Sequence, residues 1–232
     1  MISKKIPAAL FVTAALIGGV ALVRDDPSGT TLPAADAATL PDPDSMLAEG
    51  YGYDPLDEVA ERHRARVRAN PDDYGSRTRL GRTLLGLARE TGDLTLYEQA
   101  ERHLQRAVAD APGDVSAETG LAAALAAQHD FAGALEILDE IHERLPDDLG
   151  IQAAIADAHL ELGDYERGFA AVDDLAGALP DNPATLARQA HVAALTGRND
   201  EAVELSRRAL AASADLGLRP SEAASSLSLI HI

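Results

Sequence analysis

GDVSAETGLAAALAAQHDFAGALEILDEIHERLP (Gly113–Pro146) runs straight into DDLGIQAAIADAHLELGDYERGFAAVDDLAGALP (Asp147–Pro180), and the two segments superimpose at a period of 34 residues. Pro112, Pro146 and Pro180 mark one phase of that period. Ile141 and Leu175 hold a second phase, Ala134 and Gly168 a third, and Ala122 and Ala156 a fourth. A fixed period with small and apolar residues locked to one phase marks a solenoid, whose units bury their faces only on one another. Within each unit the apolar residues recur at helical spacing, so the expected fold is all-α, a series of stacked helix pairs.

The phase persists outward from this core. In the preceding unit, from about Tyr74, Leu80, Gly81 and Leu84 are followed by Ala100, Leu104 and Ala107 ahead of Pro112. Seven extra residues lie between Gly81 and Ala100, with a break at Gly92-Asp93, and are expected to lengthen the first helix and the turn. The second unit uses Leu121, Ala122, Leu125, Ala134, Leu138 and Ile141, and the third Ile155, Ala156, His159, Gly168, Val172 and Leu175. A fourth unit from Pro183 keeps Ala190, Ala202 and Ala209 but has Gln189 and Ser206 at apolar phases. Ala122 is expected to face Ala134, and Ala156 to face Gly168, because helices approach closely where both residues are small. His129-Asp130 and Gly163-Asp164 read as turn plus N-cap, and Asn182-Pro183 as cap plus first-turn proline. Asp54-Pro55 reads as the cap and first turn of a helix to about Ala69, with Leu56, Val59, His63 and Val67 on one stripe and arginines elsewhere.

The unit resembles the tetratricopeptide repeat over about residues 74–214. The resemblance implies an α-solenoid of about four helix-turn-helix repeats at 71–216, stacked on a lead helix at 56–70. The family's bulky aromatic early in the first helix is missing, since Arg77, Glu118, Gln152 and Leu186 stand there.

Composition bounds the function. The chain has 232 residues, no cysteine, no tryptophan and 3% aromatic content, so disulfides, thiolate nucleophiles and Cys-based zinc sites are out of reach. The net charge of -18 is uneven: residues 56–109 carry +1 and 110–216 carry -15. An acidic surface repels nucleic acid and favours solubility or a basic partner. No nucleic-acid partner is expected.

Lys4 and Lys5 precede an 18-residue apolar run, Ile6–Val23, about 27 Å long as a helix. Arg24, Asp25 and Asp26 follow at once, without the small-x-small site of a cleaved signal; Ala35-Asp36-Ala37 lies well downstream. Residues 1–23 are therefore expected to be a signal anchor, with the membrane as a partner. The positive-inside rule would then put the repeats on the periplasmic side of a bacterial inner membrane, with secretion after cleavage as the alternative. Residues 24–55, rich in proline, alanine and aspartate, read as a disordered tether, and 217–232 as a tail that is truncated, foreign or simply frayed.

No catalytic, cofactor or metal site is expected. Lysines occur only at positions 4 and 5, so a P-loop or Schiff-base lysine is absent from the rest of the chain, and the seven histidines show no HExxH or HxH spacing. Asp157 and Glu161 are one turn apart with His159 on another face, so the three do not converge on one ion. The resemblance implies instead a concave groove lined by the first helices, at Thr78, Arg82, Leu85, Thr119, Ala123, Ala126, Ala153, Asp157, Leu160, Ala187, His191 and Ala194. Most of these are small or apolar, which suits an amphipathic helix or an apolar extended segment, and Arg79 and Arg82 at one end could take a carboxylate. The family's carboxylate clamp is missing, because Thr119 and Ala123, or Ala153 and Asp157, occupy its positions. The function expected is a membrane-anchored scaffold binding a protein or peptide in this groove, similar to helpers of envelope assembly such as those of cytochrome c maturation. Two alternatives stay open: self-association or complex organisation through the acidic convex face, and a non-catalytic fragment of a larger enzyme.

Overall fold

The computed structural model describes residues 55–215, which form nine α-helices and, among the described residues, no strand. A lead helix α1 (Leu56–Ala69) is followed by four helix pairs. They are α2 (Tyr74–Thr91) with α3 (Thr95–Asp110), α4 (Val115–Ala127) with α5 (Phe131–Arg144), α6 (Leu149–Glu161) with α7 (Tyr165–Ala178), and α8 (Pro183–Leu195) with α9 (Asn199–Asp215). Each helix packs on the one before and the one after it, and α2 also touches α4. This is the all-α solenoid of four repeats that the 34-residue period implies. The extra residues of the first repeat lengthen its first helix, as α2 runs 18 residues where α4, α6 and α8 run 13, and its second helix, 16 residues against 14 in α5 and α7; the turn, expected to be longer too, has the same length as in the other repeats.

Capping explains where the helices begin. Asp73, Asp114, Asp130, Asp148 and Asp164 each accept a backbone N–H from the first turn that follows, and Asn182 does the same ahead of Pro183. An N-cap side chain satisfies a backbone donor that the helix cannot, and an aspartate also meets the positive end of the dipole; each cap contributes about 1 kcal/mol. Part of the acidic charge is thus structural. α1 differs from expectation by one position: Pro55 is itself the N-cap residue, with no side-chain cap bond.

The turns between paired helices need a left-handed residue. Gly92, Gly163 and Gly197 supply it at φ 72°, 78° and 76°, whereas the second repeat uses His129 at φ 66°. The His129 ring meets Phe131 edge-on at 5.6 Å between centroids, a contact that a glycine would forgo.

The core is a chain of clusters, one per repeat, that shares helices between neighbours. Leu104, fully buried, is held between two glycines: a Cβ on Gly81 would lie 2.5 Å from its Cγ, and one on Gly120 of the next repeat 2.7 Å from its Cδ2. Ala122 and Ala134 are both buried, in one cluster. In the third repeat Gly168 packs against Leu160, since an added Cβ would lie 2.6 Å from Leu160 Cδ2. The missing side chain there makes room for a leucine.

The inner-membrane, periplasmic location expected from the sequence is corrected at this point. Among the described residues no helix is long and apolar enough to cross a membrane. The longest helix, α2, carries Arg77, Arg79, Arg82, Arg89 and Glu90. The anchor at 1–23, nearly all of the tether at 24–55 and the tail at 217–232 lie outside the described residues.

Two glycines of α7 give a matched test. Gly168→Ala is expected to destabilise the fold by about 1–3 kcal/mol through overpacking on Leu160. Gly177→Ala, with nothing within 4 Å of its added Cβ, should stabilise by about 0.5–1 kcal/mol through helix propensity. Urea unfolding of both variants checks the pair. At the turn, His129→Ala loses the ring contact and keeps the strained φ. It should therefore unfold at a free energy about 1 kcal/mol below that of His129→Gly.

Candidate functional site

The first helices α2, α4, α6 and α8 bring the sequence-derived groove positions together in repeat order, but most of them face inward. Thr78, Leu85, Thr119, Ala126, Ala153, Asp157, Leu160 and Ala187 are buried. Arg79 is exposed, and Arg82, Ala123, His191 and Ala194 are half-buried. Thr78 and Thr119 donate their hydroxyls to Tyr74 O and Val115 O one turn back, so they satisfy themselves within their helices. The face open to a partner is therefore narrower than the twelve periodic positions and Arg79 suggest.

A shared phase places Arg82, Ala123, Asp157 and His191 at one position of successive repeats, and that position meets the next first helix one turn earlier in phase. At the first junction the stem of Arg82 lies 3.4 Å from where a Cβ on Gly120 would be. At the third, Asp157 meets Arg188 as a buried bidentate ion pair. Arg188 Nε donates to Asp157 Oδ1 at 2.9 Å and Nη2 donates to Oδ2 at 2.6 Å, with both side chains 4% exposed. Arg188 Nη1 also donates to Ala184 O at 3.2 Å.

Asp157 is consequently a rivet between the third and fourth repeats, not a groove contact. Sequence reasoning missed Arg188 because it treated each repeat separately. The signal was present in the 31-residue separation, one turn short of the period. Around this pair, burial pushes the Asp157 carboxyl up against the pull of the Arg188 charge and hydrogen bonds. Burial and then the Asp157 charge raise Glu161 to about 7. Burial lowers His191, partly offset by Asp157.

His159 turns the other way, with Nδ1 3.5 Å from Asp164 Oδ2, so it stays apart from Asp157 as its helical position requires. Among the described residues no group of three or more His, Cys, Asp or Glu side chains could hold a metal ion.

The residues standing where the family's aromatic is missing act on the loops between repeats. Arg77 Nε and Nη2 donate to Pro71 O at 2.9 and 2.6 Å, and Gln152 Nε2 donates to Pro146 O at 2.7 Å. Glu118 accepts the Gly113 N–H at 3.0 Å and pairs with Arg144, which also donates to Gly113 O. Leu186, in the fourth repeat, is simply buried. A polar latch on the loop thus replaces an aromatic wedge in three of the four repeats.

Fold and site together define a helical-repeat solenoid, the architecture of binding scaffolds. Residues 96–158 and 125–184 match the family model of the tetratricopeptide repeat, so this part of the chain is built of tetratricopeptide repeats. Solved structures share the architecture. A thermophilic repeat protein of Thermus thermophilus is similar at a TM-score of 0.58 and 22% identity, over 79% of this chain and 94% of that one. A tetratricopeptide repeat protein of Parabacteroides merdae gives 0.59 and 14%, over 80% and 66%. MamA of Desulfovibrio magneticus gives 0.54 and 16%, over 74% and 91%. At these identities the likeness is one of fold. No curated protein matches the sequence.

Breaking the rivet should be costly where replacing it is not. Asp157→Asn is expected to cost about 3–5 kcal/mol because it removes one charge of a buried ion pair, whereas Asp157→Leu with Arg188→Met should come within about 1 kcal/mol of wild type. Chemical unfolding compares them. Glu161 binds its proton more tightly folded than unfolded, so its contribution to stability falls as pH rises from about 4.5 through about 7. Glu161→Gln lacks that loss and should gain stability relative to wild type across the same interval. A difference between the two that does not change with pH would contradict the assignment.

Proposed function

We propose that the chain is a non-catalytic scaffold that holds a protein or peptide segment along the first-helix face of its repeats. The observation that carries this reading is the row Arg82, Ala123 and His191. It is one half-open position per first helix of repeats one, two and four, interrupted at the third by the closed Asp157–Arg188 pair. A row of small and polar groups spaced by the repeat suits an extended or helical segment laid across the helices. The tetratricopeptide architecture supports it further, because such repeats generally serve as scaffolds. The acidic charge of residues 110–216 argues against nucleic acid as the ligand. The narrower expectation of an envelope-maturation helper rested on the N-terminal segment and is set aside.

A second reading, self-association through the convex face, draws on exposed Glu136, Asp139, Glu140 and Glu143 of α5, together with exposed Arg66 and Arg68 of α1. Opposite charge on two parts of one chain allows copies to meet head to tail.

Affinity capture with the full chain separates the two. Ala123→Trp fills the row without touching the convex face and should weaken partner capture by about tenfold or more. Glu140→Lys with Glu143→Lys should leave capture unchanged. If the convex substitutions remove the partner, or convert a salt-sensitive oligomer to monomer in sedimentation, while Ala123→Trp does nothing, the first-helix reading fails.

A further inference from the structure

Thr78, Arg82, Leu85 and Arg89 fall on one stripe of α2, at spacings of four, three and four residues. Thr78 and Leu85 turn into the core at 5% and 3% exposure, but the two arginines do not. They stand two helical turns apart, about 10 Å along the axis. In this acidic chain most arginines are engaged. Arg64, Arg77 and Arg188, which like Arg82 are half-buried or buried, bind Glu61, Pro71 O and Asp157. Arg82 is half-buried and, like Arg89, forms no ion pair or side-chain hydrogen bond among the described residues.

The surroundings sharpen the demand for an anion. Burial lowers the Arg82 pKa, and Arg89 is lowered to about 10, first by surrounding protein and then, against a raising influence of Tyr97, by the Arg82 charge. Arg89 is accessible to solvent, so a ligand can reach it even though protein crowds it on one side. A desolvated cation beside another cation is relieved by a carboxylate, most strongly in bidentate geometry. Gly120 lets the Arg82 stem lie flat on α4, so the next feature along the row is the methyl of Ala123. Farther along, Asp157 is already neutralised by Arg188 and offers a ligand no charge.

We infer that Arg82 and Arg89 form a subsite for an acidic segment of a partner protein, one whose carboxylates lie over α2 and whose apolar residues follow across α4. This deepens the first-helix reading and rests on it. It assigns the ligand's direction along the solenoid as well as its chemistry. Two carboxylates two residues apart in an extended segment point to one face about 7 Å apart, within the reach of two long guanidinium side chains whose positions on α2 are about 10 Å apart.

The test uses the full chain and a synthetic peptide with glutamates at its second and fourth positions, on one face of an extended segment, followed by a leucine–alanine run, read by titration calorimetry. Binding should weaken about tenfold or more in Arg82→Gln or Arg89→Gln, and by a similar factor when both glutamates of the peptide become glutamine. In Arg82→Glu with Arg89→Glu, a peptide with lysines at those positions should bind in place of the acidic one. Circular dichroism melts show whether each variant is folded, and the lysine peptide keeps the test decisive if the glutamine variants are weakened by loss of packing.

If the arginine variants and the glutamine peptide bind as well as wild type while Ala123→Trp blocks both peptides, the subsite falls and the first-helix reading stands. If Ala123→Trp leaves the acidic peptide bound while the arginine variants lose it, the subsite stands and the row across α4 falls. Neutralising Asp42, Asp44, Glu49 and Asp54 should not change affinity. A gain of tenfold or more would show that the chain's own acidic residues fill the site, and would overturn its assignment to a partner.

Discussion

The structure depends on how closely neighbouring helices approach, and small residues set that distance. Leu104 shows the constraint: its side chain occupies space left by the missing side chains of Gly81 and Gly120, one in its own repeat and one in the next. A single buried leucine therefore couples the spacing within a repeat to the spacing between repeats. Gly168 makes the same accommodation for Leu160 in the third repeat. With so few aromatic residues, cohesion comes from many short-range contacts between backbones held close, and each of them is sensitive to one added methyl.

Charge does a different job at each place it appears. Aspartates begin five of the helices by accepting first-turn N–H groups. Glu118 and Arg144 tie a loop to the end of a second helix. Asp157 and Arg188 join two repeats inside the core, where burial makes the pair indifferent as a source of stability but exacting about geometry, since neither member tolerates the loss of the other. Two small residues, Ala123 and Ala154, hold the corresponding phases at the preceding junction, so one architectural position is served by methyl groups in one place and by an ion pair in another.

The consequence for binding is a first-helix face that changes character along its length. Its first repeat presents arginines that have no partner among the described residues, its second presents alanine, and its third is closed by the internal pair. A ligand lying across such a face meets a polarity rather than a uniform trough. Apart from Glu118, Asp157 and Glu161 on first helices, the acidic residues of the later repeats lie in caps, loops and second helices.

The sequence by itself determined the architecture, because a solenoid writes its contacts at a fixed period: the phased prolines, the small residues at Ala122, Ala134 and Gly168, and the aspartate caps were legible in one dimension. Which periodic positions face outward was decided only by the tertiary structure. Ala126, Asp157 and Leu160 share a phase with the half-buried His191 or Ala194, yet they are buried, since the packing of neighbouring helices sets how much of each stripe is covered. The Asp157–Arg188 pair was hidden for a related reason. It joins residues of different phase in different repeats, and only the packing of α6 on α8 brings a carboxylate and a guanidinium of that spacing into one dry space.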